Sequence, residues 1–250
     1  MKTDNPNPRL YDDLAWLWPH LSPPEHYEAE AAFIDRLITE RLGDGPKHVL
    51  ELGAGGGHTL VHLAEQTGGR HRCVAADLSE PMLANCRGLI PGIETHVGDM
   101  RDLDLGRTFD VVLIHDAIDY LLSEDDLRQT LKNAARHLRP GGLAFIAPTY
   151  TRETFEDGDV ADDGTTTDAQ DVTYFSYVHD ADPADDTFEM ILLYLLRDRT
   201  TRQVEVIEDR HRCGLFDNAT WLRLMEEAGL PAELIEQEGG AWSLFLGSRE

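Results

Sequence analysis

The sequence predicts an α/β protein: a doubly wound, mostly parallel sheet of seven strands into which a small antiparallel β-sheet is inserted. Two observations carry this prediction. Between residues 25 and 147, short apolar segments typical of buried strands alternate with amphipathic segments typical of helices. After Pro148 the alternation gives way to β-like segments separated by polar turns, before a further helix and two final strands. The length of 250 residues is ample for one large domain with an addition.

The first part of the chain is predicted to be an arm, a first helix, and five strands, of which three are followed by a helix. Residues 1–24, rich in Pro, Trp and Tyr, are expected to form an irregular N-terminal arm. Apolar spacing, N-cap residues and Gly or Pro stops then predict the remaining elements. These are helix 25–42, strand 48–52, helix 58–66, strand 73–76, a helix capped by Ser79, strand 93–97, strand 109–114, a helix starting at 123–126, a turn at 139–142 and strand 143–147.

The second part is predicted to contain the inserted sheet and the end of the main one. Residues 156–170 are acidic and rich in Gly and Thr, which is typical of a mobile loop. Three β-like segments follow at 172–178, 187–196 and 203–212, then a helix capped by Asp217 and strands at 234–237 and 242–246. The predicted division is an arm or lid at 1–24, a core at 25–150 and 214–250, and an inserted substrate-cap region at 151–213.

The charge of the chain limits its partners. Asp and Glu total 47 against 22 Lys and Arg, giving a formal net charge of −25. Such a surface repels phosphate backbones and anionic membranes, so neither nucleic acid nor a membrane is an expected partner. No apolar run approaches the ~18 residues that span a bilayer, and residues 1–9 carry no apolar signal segment. We expect a cytoplasmic protein, whose acidity indicates either a high-salt cytoplasm or an ordinary acidic enzyme.

A glycine-rich turn carries the strongest functional signal. The segment Glu51-Leu-Gly-Ala-Gly-Gly-Gly57 follows a predicted strand and precedes a helix. Glycines permit a tight turn and leave room for a ligand. His58 stands where a dinucleotide fingerprint starting at Gly53 needs glycine, and no Gly-Lys-Ser/Thr follows, so the turn fits neither a dinucleotide nor a phosphate loop. The acidic Glu51 instead suits a ligand with a cationic amino group.

This motif resembles the first motif of the class I S-adenosylmethionine (SAM)-dependent methyltransferases, which implies a Rossmann-like fold and SAM as cofactor, with S-adenosylhomocysteine as product. Asp77 closes the second strand, where a carboxylate can accept both ribose hydroxyls. By resemblance Asp99 accepts from the adenine amino group, Met100 holds the ring and Met82 covers the cofactor. The implied cofactor residues are Glu51, Gly53, Ala54, Gly55, Gly57, Asp77, Leu78, Met82, Asp99, Met100 and His115.

A narrower resemblance concerns residues 98–109 and 153–158 together with the inserted sheet. These segments are similar to the amino-sugar N-methyltransferases of antibiotic biosynthesis, which dimethylate an amine on a nucleotide-linked sugar. The insert of this chain is very acidic. Because a diphosphate prefers basic or neutral walls, we expect the insert to favour a neutral or cationic amine. The acidic positions are Asp162, Asp163, Asp168, Asp171, Asp180, Asp182, Asp185 and Asp186.

The sequence offers four catalytic candidates. A methyl group on a sulfonium is already activated, so alignment and exclusion of water are the main tasks, and a base is needed only when the nucleophile must lose a proton. His115 suits proton handling or serves as a pocket wall, and Asp116 suits an amine or pairs with His115. Tyr11 lies in the arm, which folds over the pocket as a lid in related enzymes, with Trp16 and Trp18 as further cover. His211, like Tyr150, is expected to point into the pocket or to be structural.

The predicted function is therefore transfer of the SAM methyl group to a nitrogen or oxygen of a small-molecule acceptor. The alternative is a non-catalytic SAM-binding regulatory or interaction protein that keeps the cofactor residues but lacks an open acceptor pocket. A nicotinamide-dependent oxidoreductase is disfavoured by His58. The histidines show no metal-ligand spacing and the three cysteines form no Cys-x-x-Cys pair, so no metal is expected. The sequence leaves open the acceptor and whether the chain forms a homodimer.

Overall fold

The computed structural model describes residues 8–236 and 243–250. In this part of the chain, helices and strands alternate up to β5, and strands dominate thereafter. The strands are β1 His48–Leu52, β2 Arg72–Asp77, β3 Glu94–Val97, β4 Phe109–His115, β5 Leu138–Ala147, β6 Val160–Thr166, β7 Gln170–His179, β8 Thr187–Asp198, β9 Val204–Gly214, β10 Ala232–Glu236 and β11 Ser243–Ser248. The α-helices are α1 Trp18–Leu21, α2 Glu28–Leu42, α3 Leu60–Leu63, α4 Glu80–Leu89, α5 Glu124–His137 and α6 Asn218–Glu227.

The main sheet has seven strands in the order β10-β11-β5-β4-β1-β2-β3, which confirms the predicted fold class. Strands β1 to β5 run parallel, whereas β11 is antiparallel to both β5 and β10. Apolar side chains of α2, α3 and α4 cover one face, and those of α5 and α6 cover the other. Because all five parallel strands point the same way, their carboxyl ends meet at one edge, where ligands of such sheets bind.

The inserted sheet has four antiparallel strands in the order β6-β7-β8-β9, where the sequence predicted three. The extra strand, β6, lies in the middle of the segment 156–170 that was expected to be a mobile loop. Almost every residue of β6 is exposed, so it buries no apolar face that the sequence pattern could reveal. Its pairing with β7 comes from backbone hydrogen bonds at the edge of the sheet.

The N-terminal arm is more regular than predicted. In its described part it forms 3-10 helices at Arg9–Tyr11, Ala15–Leu17 and Pro24–Tyr27, with α1 between the second and the third. The buried side chains of the arm pack against one face of the inserted sheet, in a cluster of Leu10, Leu14, Leu17, Val172, Leu192, Tyr194, Leu196 and Ile207. The arm thus joins the insert to the carboxyl edge of the main sheet.

Some predicted bounds were wrong by a turn or more. The helix expected at 58–66 reduces to α3 and a 3-10 turn at Glu65–Thr67, because the glycine turn runs on almost to α3. The turn expected at 139–142 is part of β5, which pairs with β4 through a register shift. Gln237 and Trp242, at the ends of the last two predicted strands, lie outside the described residues, as do residues 1–7 of the arm. Among the described helices, none has the length and apolar character needed to cross a membrane.

Candidate active site

A tight glycine turn joins β1 to α3 at the carboxyl edge of the sheet. Its backbone lies in the left-handed region that favours glycine, with φ of +75° at Gly53, +51° at Gly55 and +77° at Gly57. A Cβ added to Gly53 would lie 2.2 Å from the Cβ of Ala117. The amides of Gly53 and Ala54 donate to the carbonyl of Ala76 in β2, at 2.8 and 3.0 Å. The turn therefore packs closely against the ends of two neighbouring strands.

Asp77 holds this turn at the end of β2. Its Oδ2 accepts a hydrogen bond from Gly55 N at 2.8 Å, and its Oδ1 accepts one from Ser79 N at 2.7 Å. Burial raises the pKa of Asp77 even though these amides favour the ionised form. The next side chain, Leu78, is 65% exposed, so it is accessible to a ligand. The structure thus brings the predicted ribose carboxylate against the predicted methionine loop.

A buried carboxylate, that of Glu51, and a partly buried one, that of Glu30, adjoin the turn. Glu51 is 3% exposed, and within the described residues its Oε2 accepts no hydrogen bond. Glu30 of α2 likewise has an Oε1 without a hydrogen bond from that part of the chain, although it lies 3.4 Å from His115 Nε2. Burial raises the pKa of Glu30, and burial with repulsion from Glu30 raises that of Glu51 well above its usual range. Such a pair is suited to a buried cation, which would supply the missing partner.

Sequence reasoning missed Glu30. It lies one helical turn before Ile34, on the side of α2 that buries Ile34, Leu37 and Ile38. A carboxylate on the apolar face of an amphipathic helix is the signal that could have identified it. The predicted apolar face included Ala29, which is exposed, and this rotated the expected face away from Glu30.

Two methionines flank the glycine turn. The Cε of Met82 lies 3.3 Å from a Cβ placed on Gly55, and the Cε of Met100 lies equally close to one placed on Gly53. Met82 is buried and Met100 is half-buried. Asp99, predicted to accept from the adenine, accepts several hydrogen bonds from Arg101, two residues further on, the shortest 2.7 Å. These bonds lower the pKa of Asp99, so the carboxylate is ionised.

A second acidic group follows β4. His115 Nε2 lies 3.3 Å from Asp116 Oδ1, which also accepts from the Thr149 hydroxyl at 3.0 Å. Asp116 has φ +51°, an uncommon backbone conformation for a residue other than glycine and one that occurs at functional sites. Asp119 is buried and accepts from Thr149 N at 3.1 Å. Burial raises the pKa of Asp119 well above its usual range.

Tyr11 and His211, far apart in sequence, are joined through Tyr120. The hydroxyls of Tyr11 and Tyr120 are 2.8 Å apart, and the Tyr120 hydroxyl is 2.6 Å from His211 Nδ1. His211 Nε2 is in turn 3.0 Å from Asp209 Oδ2. The sequence did not single out Tyr120 or Asp209 as site residues, since neither belongs to a recognisable motif.

The aromatic cover differs in part from the prediction. Trp18 Nε1 donates to His58 Nδ1 at 2.6 Å, and the ring of Tyr27 stacks on His58 at 5.6 Å. Burial lowers the pKa of His58 to about 4, which suits an imidazole that accepts this bond. Trp16 is 41% exposed and does not complete a dry cover. Tyr150 packs with aromatic rings of the insert, Phe155 and Phe188, each at 5.5 Å.

Comparison with known proteins identifies the family. A family model described as a methyltransferase domain matches residues 49–142. The dTDP-3-amino-3,4,6-trideoxy-alpha-D-glucopyranose N,N-dimethyltransferase of Streptomyces venezuelae is 31% identical over 229 residues, 91% of this chain and 93% of that protein. This chain belongs to the class I SAM-dependent methyltransferases.

Two further proteins extend the likeness over the whole chain. The dTDP-4-amino-2,3,4,6-tetradeoxy-D-glucose N,N-dimethyltransferase of Saccharopolyspora spinosa is 28% identical over 242 residues, 96% of this chain and 91% of that protein. The structure of the sugar N-methyltransferase KedS8 from Streptoalloteichus sp ATCC 53650 superposes with a TM-score of 0.83 at 27% identity, covering all of this chain and 96% of that one. The likeness therefore includes the inserted sheet.

As a methyltransferase, the chain uses SAM and transfers its methyl group to a small-molecule acceptor. This confirms the predicted enzyme class, cofactor and reaction, and sets aside the non-catalytic alternative. The described residues fit the cofactor: the glycine turn leaves space without Cβ atoms, and Glu51 and Glu30 each have one buried oxygen with no hydrogen bond from the described residues, which a cationic group would provide. Which side chains touch the cofactor stays a prediction.

Proposed function

We propose that this methyltransferase acts on the amino nitrogen of a nucleotide-linked deoxy amino sugar. One observation carries the proposal: the similarity to a sugar N,N-dimethyltransferase extends over 91% of the chain, and so takes in the arm and the inserted sheet as well as the cofactor-binding core. The sugars named for the two relatives carry the amine at different positions, 3-amino in one and 4-amino in the other, so the proposal covers both positions.

Several acidic side chains of the insert are held by amides and arginines of the insert itself. Within the connection between β7 and β8, Asp180, Asp182 and Asp185 accept hydrogen bonds from backbone amides of the same connection or its end. Other acids are paired with arginines: Asp171 with Arg197 and Asp186 with Arg152. These carboxylates thus stabilise turns and strand pairs, and they need not line the acceptor pocket.

The proposed cofactor seat follows from the residues around the turn. Glu51, with Glu30, would hold the ammonium group of the methionine part, because one buried oxygen of each carboxylate accepts no hydrogen bond from the described residues. Asp77 would accept from the ribose hydroxyls, and Met82 and Met100 would pack on the cofactor from either side of the turn. The other predicted contacts, with Gly53, Ala54, Gly55, Gly57, Leu78, Asp99 and His115, are retained in this proposal.

The residues around the acceptor would orient the amine and remove its proton. Bound SAM supplies a methyl group activated by its sulfonium. The amine lone pair forms the new N–C bond as the C–S bond breaks and leaves its electron pair on sulfur, after which the nitrogen releases a proton. His115, held between Glu30 and Asp116, is proposed to take this proton. Tyr11 and His211, joined through Tyr120, complete the proposed catalytic set with Asp116.

The test is methyl transfer measured by mass spectrometry with SAM labelled in its methyl group. We expect a nucleotide-linked deoxy amino sugar to gain labelled methyl groups on its nitrogen. The matched control is the same nucleotide sugar with a hydroxyl in place of the amine, which should gain none. Methylation of the hydroxyl compound, or of the free amino sugar alone, would contradict the proposal.

The remaining expectations about the chain are retained as proposals. A cytoplasmic location is supported by the three cysteines, which are all buried and free of disulfides. The net charge of −25 supports a set of partners without nucleic acid or membranes. A homodimer is supported by Val160, Phe175 and Tyr177, exposed apolar side chains on one face of the β6–β7 pair. Light scattering in solution would test the last of these.

A further inference from the structure

Four hydrogen-bonded side chains link the arm, the segment after β4 and the inserted sheet: Tyr11, Tyr120, His211 and Asp209. We propose that Asp209 is a positioning residue, which fixes the direction of each hydrogen bond in this series of four side chains. As a result the Tyr11 hydroxyl offers only lone pairs to the acceptor. The inference rests on the proposed function in one respect, namely that the acceptor is an amine with an N–H to donate.

Asp209 is the anionic end of this hydrogen-bonded series of side chains. It is 5% exposed, and it accepts from Arg9 N at 3.0 Å, Leu10 N at 2.8 Å and the His211 ring. Burial acts to raise the pKa of Asp209, but the hydrogen bonds that it accepts from His211, Arg9 N and Leu10 N act against burial, and that pKa lies below its usual value. An ionised carboxylate only accepts, so His211 Nε2 must carry a proton.

The direction of the remaining bonds then follows. In the proposed arrangement the His211 ring is neutral and carries its proton on Nε2. Nδ1 then keeps a lone pair, and this atom lies 2.6 Å from the Tyr120 hydroxyl. Tyr120 therefore donates its proton to His211. Having no second proton, Tyr120 can only accept from Tyr11 across the 2.8 Å contact. Tyr11 therefore donates its hydroxyl proton to Tyr120, and the Tyr11 oxygen can only accept a hydrogen bond from another group.

Tyr11 is placed to use that acceptor beside the cofactor seat. Its backbone carbonyl accepts from the Ser79 hydroxyl, two residues beyond Asp77. Burial raises the pKa of both Tyr11 and Tyr120 above the usual range for tyrosine, so neither phenol ionises to act as a base. A neutral Tyr11 oxygen can accept one N–H of an acceptor amine. That hydrogen bond fixes the direction in which the nitrogen lone pair points, and in-line methyl transfer requires this alignment.

The first test reads the His211 tautomer in the intact enzyme, before any substrate is added. In protein labelled with 15N at histidine, the His211 resonances are identified by their loss in His211→Asn. We expect the neutral form with its proton on Nε2. A proton on Nδ1 alone, or on both nitrogens, would overturn the inference and leave the proposed function untouched.

The second test compares kinetics of variants with the amino-sugar acceptor. Asp209→Asn places an amide N–H against His211 and should reverse the direction of the hydrogen bonds between His211, Tyr120 and Tyr11. We expect kcat/KM for the acceptor to fall about tenfold while SAM affinity changes less than twofold. Tyr11→Phe should lower it similarly, and the double variant no further. If Asp209→Asn does not fold, Tyr120→Phe interrupts the same chain and should give the same result.

Asn85→Ala is the control for simple loosening of the arm. The Asn85 amide donates to the carbonyl of Ala15 at 2.7 Å, so this variant removes an arm contact outside the hydrogen-bonded chain. Its kcat/KM should stay near that of the wild type. An equal loss in Asn85→Ala, or multiplied losses in the Asp209→Asn/Tyr11→Phe double variant, would show that Asp209 only seats the arm. Absence of transfer to any amine would instead defeat the proposed function.

Discussion

At Glu51, function and stability make opposite demands. The side chain is buried beside the glycine turn, and one carboxylate oxygen has no hydrogen bond from the described residues. Burial, and repulsion from Glu30, raise the pKa of Glu51 well above its usual range. In the protein without cofactor this charge is a cost, while a bound cation would offset it. This burial costs stability and is consistent with the proposed role of Glu51 in holding a cationic ligand.

We predict that Glu51→Gln stabilises the cofactor-free protein at pH 8, by about 1 kcal/mol, and weakens SAM binding about tenfold or more. The sign follows from linkage. Because the folded pKa is raised, the stability that Glu51 contributes is complete below its unfolded pKa of about 4.3 and is lost as pH rises through the folded value. Urea unfolding at pH 5 and pH 8, with calorimetric titration of SAM, measures both effects.

The control for this prediction is Glu65→Gln, which removes an exposed carboxylate. It should change neither the stability of the cofactor-free protein nor the affinity for SAM appreciably. The variant Glu51→Gln should also show a smaller loss of stability between pH 5 and pH 8 than the wild type. Equal losses in the two proteins would mean that Glu51 does not take up a proton on folding, and the account of this site would be wrong.

At the scale of elements, the glycine turn depends on both conformation and space. Gly53→Ala should destabilise the protein by about 3 kcal/mol or more, because the new Cβ would clash with Ala117 in addition to the cost of a positive φ. Gly92 has a similar φ of +82° with nothing within 4 Å of an added Cβ, so Gly92→Ala should cost only about 1 kcal/mol. Urea unfolding of both variants separates the cost of the steric clash from the cost of the positive φ. Equal losses of unfolding free energy in the two variants would contradict the close packing of the turn.

The N-cap of α4 is shared with the arm. Ser79 accepts from Met82 N at 3.1 Å as the cap and donates to the Tyr11 carbonyl, whereas Ser123 caps α5 at 3.2 Å without touching the arm. Ser79→Ala and Ser123→Ala should each cost about 1 kcal/mol of stability. Only Ser79→Ala should raise the KM for the acceptor, since only it frees Tyr11. Steady-state kinetics decide this, and a raised KM in Ser123→Ala would argue against a specific link.

Elements were predictable from sequence where burial imposes a pattern. Strands β1, β2 and β4 are buried over most of their length and read as apolar runs, so their bounds were predicted within a residue at each end. Strand β6 is exposed almost throughout and follows no apolar pattern, so the segment looked like a loop. Similarly, α3 is only four residues long, and the surrounding sequence suggested a longer helix than the tight turn allows.

At the scale of the whole molecule, order along the chain predicted that the glycine turn and Asp77 lie together, but not which residues approach them from elsewhere in the sequence. Gly53 and Asp77 follow neighbouring strands of one sheet, so a strand–helix pattern already places them together. Glu30 and Asp209 reach the site from α2 and from the inserted sheet, through contacts between segments far apart in sequence. A single sequence does not show such contacts, because no local period or motif records them.

The architecture as a whole places the arm between the insert and the cofactor seat. Leu10 and Leu14 pack on the inserted sheet, while the Tyr11 carbonyl accepts from Ser79 beside Asp77. Closure of the arm over the ligand would therefore depend on the insert, which explains why the similarity to sugar N-methyltransferases extends beyond the core. It also places the predicted acceptor contacts on three separate parts of the chain.

The central claim is that SAM is held by the glycine turn and by the carboxylate that closes β2. Calorimetric titration of SAM into the wild type and into Asp77→Asn tests it most directly. We predict saturable binding at one site in the wild type and affinity about 10- to 100-fold weaker in the variant, with unchanged circular dichroism. Absence of binding to the wild type, or equal affinity in the folded variant, would contradict the claim.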